Sequence, residues 1–319
     1  MNLKIALPER FFANENREIP VNNAKKKVWA ILLDLLCEFD RVCKENNIQY
    51  FLDSGTLLGA VRHGGFIPWD DDVDVVMLRN DYKRLCEIAQ SKFAPPYFFQ
   101  TNSTDPGSAR GHAQLRNSET TGILKAEIRD GRPLYSFNQG LFMDIFALDA
   151  VPDDSQECIA FRTRLAQLKK KIASLRFAMY ASKSMPWSVM HPRLLYIKIK
   201  GCMLRLFEKL TGYNALTHLH NVMERYAQKY NDTGAKRVGN ISLNPLRRDE
   251  QLFDRRYFDE TAQYMFEGFQ FAGPKDYNAI LTGHYGDWHK HVVGGSAHGG
   301  MLVDAERPYT YYLEKDRAR

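Results

Sequence analysis

Nowhere in its 319 residues does the chain hold an apolar run approaching the roughly 20 needed to cross a bilayer. The opening MNLKIALPERFFANENREIP has a short apolar start broken by Pro8, Glu9 and Arg10, too short for a signal-peptide core. Cysteine is sparse and odd in number: Cys37, Cys43, Cys86, Cys158 and Cys202 are widely spread and form no C-x-x-C pair. That excludes a disulfide framework and a cysteine-rich zinc site. Cys37, Cys86 and Cys202 fall within apolar helical patterns and read as small buried hydrophobes. These absences point to a reducing, cytoplasmic compartment, with peripheral contact at the inner face of the cell membrane left open. Internal repeats and low-complexity linkers are lacking too. Basic residues are dispersed with no base-reading motif, so nucleic acid is not an expected partner.

What remains is the composition of a soluble globular enzyme, 44% hydrophobic and 26% charged, with a net charge of +6. A mildly basic chain suits an anionic substrate or membrane face, and equally a solvated surface with a small Lys/Arg excess. After an N-terminal extension, residues 1–22, helix and strand patterns alternate from 23 to 150. Val28, Leu32, Leu35, Phe39 and Val42 mark a helix, with Lys25, Lys26, Lys27, Asp34, Arg41 and Lys44 between them. Strands are expected at Ile48–Leu52, Asp72–Met77, Tyr97–Gln100, Ala113–Arg116 and Leu141–Leu148, and a helix to Lys92 capped by Asn80 or Asp81. The alternation predicts an α/β layer structure around a largely buried sheet. From 151 to 235 the pattern turns helical, basic and aromatic-rich, with Leu165, Leu168, Ile172, Leu175 and Met179 as a stripe. Residues 236–319 mix short strands, a helix near Pro274–Leu281 and a Gly/His-rich tail.

The chemistry concentrates in DSGTLLGAVRHGGFIPWDDDVDV, residues 53–75. On a strand, side chains two apart share a face, so Asp72 and Asp74 point one way while Val73 and Val75 enter the core. Like charges so placed repel unless a cation lies between them, and Mg²⁺ or Mn²⁺ favour such oxygen ligands. Asp70 can share that face if no turn intervenes. Ser54-Gly55-Thr56 joins a strand to a helix start, where backbone N–H groups and a small residue let a phosphate approach.

GTLLGAVRHGGFIPWDDDVDV resembles the signature of the LicD family, which includes the fukutin-related transferases within the nucleotidyltransferase-fold superfamily. LFMDIFALD resembles that family's third-carboxylate strand, and FEGFQFAGPKDYNAILTGHYGDW its C-terminal segment. The resemblance covers roughly residues 45–150 and 263–288, and departs after Trp288. It implies an α/β (α+β) nucleotidyltransferase-like mixed sheet, a helical insertion and a C-terminal segment completing the active site. It makes Asp144 the third metal ligand beside Asp72 and Asp74, and the carboxylate placed to take a proton. The implied reaction moves a phospho-alcohol, phosphocholine or an alditol phosphate, from a CDP-linked donor to a glycan or glycolipid acceptor, releasing CMP.

Other positions carry two readings. Arg62, His63 and Arg116 are phosphate clamps or surface cations, and His63 alternatively bonds the Gly64-Gly65 turn. Trp69 stacks on the cytosine or fills the core. Tyr285, Asp287 and Trp288 line a pocket mouth or merely end a helix. His284, His289, His291 and His298 are too loosely spaced for zinc and read as surface polarity. The stretch 191–213 is an interfacial helix on an anionic bilayer or a core helix with snorkelling lysines. The rival functions are a nucleotidyltransferase moving NMP from an NTP, and an inactive binding or regulatory module of the same fold.

Overall fold

A computed structural model of the chain describes residues 2–13, 19–108, 110–129, 132–184, 191–294 and 300–314. The first long helix, α1 (Asn23–Glu45), is held at its start by the Asn22 side chain, which accepts from Lys25 N, and stops at Asn46 before Asn47 turns left-handed at φ 51°. Its apolar face is buried, and so, against the sequence expectation, are Lys26 and Asp34. Both are paired with the N-terminal extension. Lys26 Nζ donates to the carbonyls of Phe12 and Ala13, and Asp34 accepts from Lys4 N, Ile5 N and Tyr97 Oη. Buried charges carry their partners with them.

The central sheet runs β1 (Phe51–Leu52), β2 (Asp74–Leu78), β8 (Leu141–Val151), β4 (Ala113–Asn117), β3 (Tyr97–Gln100). Between these elements lie α2 (Ser54–His63), α3 (Arg79–Lys92), and the short strands β5 (Thr121–Leu124), β6 (Ile128–Arg129) and β7 (Arg132–Pro133). β2 pairs with β8 in parallel and the other neighbours in this order are antiparallel, giving the mixed α+β sheet expected. β8 is buried along its whole length, which explains its nearly unbroken apolar run. Two expected boundaries move. β2 starts at Asp74, leaving Asp72 in the loop before it, and α3 follows β2 at Arg79 with no side-chain cap from Asn80 or Asp81. Arg79 is instead locked to Asp149 of β8 by two bonds of 2.8 and 2.6 Å, both side chains being buried.

The helical stretch forms α4 (Ser155–Ser184), α5 (Pro192–Thr211) and α6 (Ala215–Ala227). Leu165, Leu168 and Ile172 are buried in α4. In α5 only Lys198 and Gly201 are buried among its described residues, so it is not a core helix. The chain then rejoins the sheet: β9 (Arg237–Gly239) pairs with the far half of β8 and with β10 (Phe253–Asp254). A hairpin, β11 (Thr261–Phe266) and β12 (Phe269–Pro274), precedes α7 (Tyr277–Tyr285), which begins after Pro274 rather than at it. β13 (Met301–Asp304) pairs with β5, and α8 (Tyr309–Glu314) follows.

Candidate active site

The strand order draws a row of carboxylates across one end of the sheet. Asp53, just past β1, gives its N–H to the Asp74 carbonyl at 3.1 Å. Asp74 is the direct register partner of Asp144 on β8, and Asp144 that of Gln114 on β4. Paired neighbours in a sheet present their side chains to the same face, so Asp53, Asp74, Asp144 and Gln114 form a line across four strands.

A histidine stands at each end. His284 Nε2 lies 3.0 Å from Asp53 Oδ1, with side chains 6% and 10% exposed. His112 Nε2 lies 3.0 Å from Asp144 Oδ1, and Gln114 donates to the same oxygen at 2.6 Å. Gln114 is in turn fixed by Arg116, which also donates to Gln100 Oε1 at 2.6 Å and to the Gly140 carbonyl at 2.7 Å. Arg116 is fully buried and packs over Phe142, so it is neither a surface cation nor open to a phosphate. Burial pulls its guanidinium down to about 9. It holds the row from behind. His284 likewise is no surface residue. In the sequence Asp53 stands only at the head of the motif with no site role, and His112 and Gln114 carry no signal.

Asp70, Asp71 and Asp72 join the row from the loop before β2, with one oxygen from each within 4.8 Å of the others. Among the described residues this is the trio whose oxygens converge so closely; those of Asp72, Asp74 and Asp144 do not reach that limit together. Asp70 also fixes the local backbone. A Cβ on Gly55 would sit 2.4 Å from Asp70 Oδ2, so glycine lets the Asp70 carboxylate lie against the start of α2. Ser54 takes a left-handed φ of 50° there, its hydroxyl on Asp53, and Thr56 Oγ1 accepts from Asp74 N at 2.9 Å.

The electrostatics are lopsided. Burial, then the charges of Asp74, Asp70 and Asp144, pushes the Asp72 carboxyl well up. Burial, then Asp144, Asp53 and Asp70, does the same to Asp74. Asp53 moves the other way, because His284 and Arg247 outweigh its burial. Among the described residues, the charges that act most on Asp74 are those of other carboxylates, and Asp71 Oδ1 is a buried acceptor with no hydrogen bond. Such a donor set fits a hard divalent cation.

Two cavities adjoin the row. One, of about 310 Å³, is lined by Gly55, Arg62, Trp69, Asp70, Tyr285, Asp287 and Trp288, bringing together most of the residues singled out in the sequence. Its two cations are engaged: Arg62 donates to the carbonyls of Trp288 and Lys290, and Lys290 pairs with Asp287 at 3.3 Å. Trp288 bonds Asn278 through its indole nitrogen and has one face covered by His289. His63 lies off this lining, its ring 5.9 Å from that of His291, and His298 lies outside the described residues. The second cavity, about 600 Å³, opens beyond His112 between the sheet domain and α4 and α6. Arg110, Lys125, Lys169 and Arg176 line it with His112, Tyr135, Phe177 and His220, and among the described residues no carboxylate does. Glu127 lies behind them, bound by Arg110 and Arg176.

Comparison with known proteins matches residues 47–129 to the LicD/FKTN/FKRP nucleotidyltransferase domain. Residues 47–129 are thus similar to a LicD-family domain. It is 26% identical over 264 residues to the lipopolysaccharide cholinephosphotransferase LicD of Haemophilus influenzae, an alignment covering 82% of this chain and 89% of that protein. A shorter match, 48% over 40 residues, is to the human ribitol 5-phosphate transferase FKRP, covering 12% of this chain and 8% of that one. An uncharacterised protein of Rickettsia prowazekii is 46% identical over 57 residues, 18% of this chain and 21% of its own length. The named relatives that share the LicD-family domain are both phosphotransferases. Their alignment lengths differ because the FKRP match is confined to a short segment, whereas the match to the bacterial enzyme extends over most of both chains.

Proposed function

We propose that the chain transfers phosphocholine from a CDP-linked donor to a glycan acceptor, releasing CMP. The observation that carries this reading is the carboxylate row flanked by two cavities of opposite character. A nucleotide half, being anionic, suits the cationic cavity lined by Arg110, Lys125, Lys169 and Arg176. A quaternary ammonium makes no hydrogen bonds and prefers aromatic faces. The smaller cavity offers Trp69 and Tyr285 beside the carboxylate of Asp70. That sorting favours choline over an alditol phosphate, whose hydroxyls need several polar partners. The extended similarity to a cholinephosphotransferase supports the same choice.

Asp72, Asp74 and Asp144 would hold Mg²⁺ or Mn²⁺, with Asp70 and Asp71 beside them. The ion would supply charge neutralisation at the phosphoryl oxygens. The protein's own groups do the rest. The Ser54–Thr56 turn presents backbone N–H groups to the diphosphate. Asp144, oriented by His112 and Gln114, takes the proton of the attacking hydroxyl. That oxygen bonds to the choline-bearing phosphorus as the bond to the bridging oxygen breaks, and CMP leaves toward the cationic cavity. The free thiols, all five of them, suit a reducing cytoplasm.

A thermal-shift screen with Mg²⁺ tests the donor class, since a ligand stabilises the fold it binds. CDP-choline should raise the melting temperature more than CDP-glycerol, CDP-ribitol or any NTP. A shift with NTPs and none with CDP-linked compounds would favour the nucleotidyltransferase alternative.

A further inference from the structure

Helix α5 presents to solvent a surface that a water-facing helix does not carry. Tyr196, Ile199, Met203, Leu206, Phe207 and Leu210 are 65, 43, 66, 58, 52 and 75% exposed. Their spacing of three, four, three, one and three residues places them on one face of a helix that turns every 3.6 residues. Apart from Pro192 and Thr211, the remaining exposed residues of α5 are Arg193, Lys200, Arg205 and Lys209. No acidic residue of α5 is exposed: Glu208 is half-buried and accepts from Asn214. The opposite side, with Lys198 and Gly201, is buried, and α5 packs chiefly on α4.

We propose that this face of α5 docks the protein on an anionic lipid surface. A contiguous exposed apolar stripe marks an interaction site, and its charge selects the occupant. A second copy of the chain would set Arg193, Lys200 and Lys209 against the same three cations, with no exposed acid of α5 between them. A neutral partner would leave those cations unanswered. A bilayer of anionic lipids takes the apolar side chains between its headgroups and pairs the flanking Arg and Lys with phosphate. Helix α5 also lies near the cationic cavity: Arg176 lines that cavity and, with Arg205 and Glu208 of α5, an adjoining hollow of about 250 Å³.

Flotation of the full-length protein with phosphatidylglycerol vesicles, and with phosphatidylcholine vesicles as the neutral comparison, reads membrane association alone, whatever group the site transfers. The protein should float with the anionic vesicles at low salt and remain below with the neutral ones. Binding should weaken at least about tenfold at about 0.5 M salt, where charges are screened beyond a few ångströms. The double variant Met203→Glu/Leu210→Glu should lose flotation with its circular dichroism unchanged, both side chains being exposed already. Charge reversal by Lys200→Glu/Lys209→Glu, which leaves the apolar stripe intact, should also lose it. No binding to anionic vesicles at low salt overturns the proposal. So does undiminished flotation of either double variant. A stable dimer by sedimentation equilibrium that becomes monomeric in Met203→Glu/Leu210→Glu would assign the face to a second copy instead.

Discussion

His112 Nε2 lies 3.0 Å from Asp144 Oδ1, and the same imidazole lines the cationic cavity. One side chain thus touches both the carboxylate row and the space proposed for the nucleotide. Groups that orient a metal-binding carboxylate typically matter about 10–100-fold for metal affinity or activity. His112→Ala should therefore raise the Mg²⁺ concentration for half-maximal activity by that order, with the melting temperature nearly unchanged. An unchanged Mg²⁺ requirement would remove His112 from the site.

Asp74→Asn should abolish turnover and yet stabilise the metal-free protein. The Asp74 and Asp72 carboxyls are raised in the folded chain by burial and by their acidic neighbours. The folded state therefore holds its protons more tightly than the unfolded one. Their contribution to stability is fully present below the unfolded carboxylate value, near pH 4, and is lost as pH rises through the folded values. Melting curves of the metal-free protein from pH 4 to 8 should fall more steeply for wild type than for Asp74→Asn. Mg²⁺ should restore the wild type at the upper end. Parallel curves would mean that the row carries no such charge.

Part of this was legible in the sequence and part was not. Asp74 and Asp70 stand in one contiguous motif, and the run LFMDIFAL holds Asp144 as a lone carboxylate among apolar residues. Alternation puts Asp72 on β2, but the strand begins only at Asp74, so Asp72 reaches the row from the loop before it. Asp53, Gln114 and His112 enter through strand order. β8 inserts between β2 and β4 from far along the chain, and no local pattern announces which residues become its register partners. Arg116 misled for a related reason. A cation in a short strand looks exposed until the sheet closes around it with Gln100, Gln114 and the Gly140 carbonyl as acceptors.

The Arg79–Asp149 pair ties α3 to β8 with side chains 4% and 0% exposed, and Asn231 also donates to Asp149 at 2.9 Å. Arg79 also pairs with Glu224 at 2.9 Å, so it is removal of Arg79 that strands a buried charge, that of Asp149, at a cost of about 3–5 kcal/mol. Arg79→Ala should lower unfolding stability by that amount in urea titration. A loss under about 1 kcal/mol would show that water reaches the pair.

The cavities should respond separately. Trp69→Leu should weaken CDP-choline by about 1–2 kcal/mol, read as a raised KM, and leave CDP-ribitol binding alone. Lys125→Ala should weaken every CDP-linked donor alike, by roughly 1–2 kcal/mol, since it answers the nucleotide's charge rather than the head group. Equal effects of both variants on all donors would collapse the assignment of the two halves.

The most direct measurement is identification of the products formed from CDP-choline, Mg²⁺ and a glycan acceptor by mass spectrometry. The account predicts CMP and an acceptor heavier by one phosphocholine, both absent with Asp74→Asn. Pyrophosphate and a nucleotidylated acceptor formed from an NTP, with CDP-choline left intact, would contradict it.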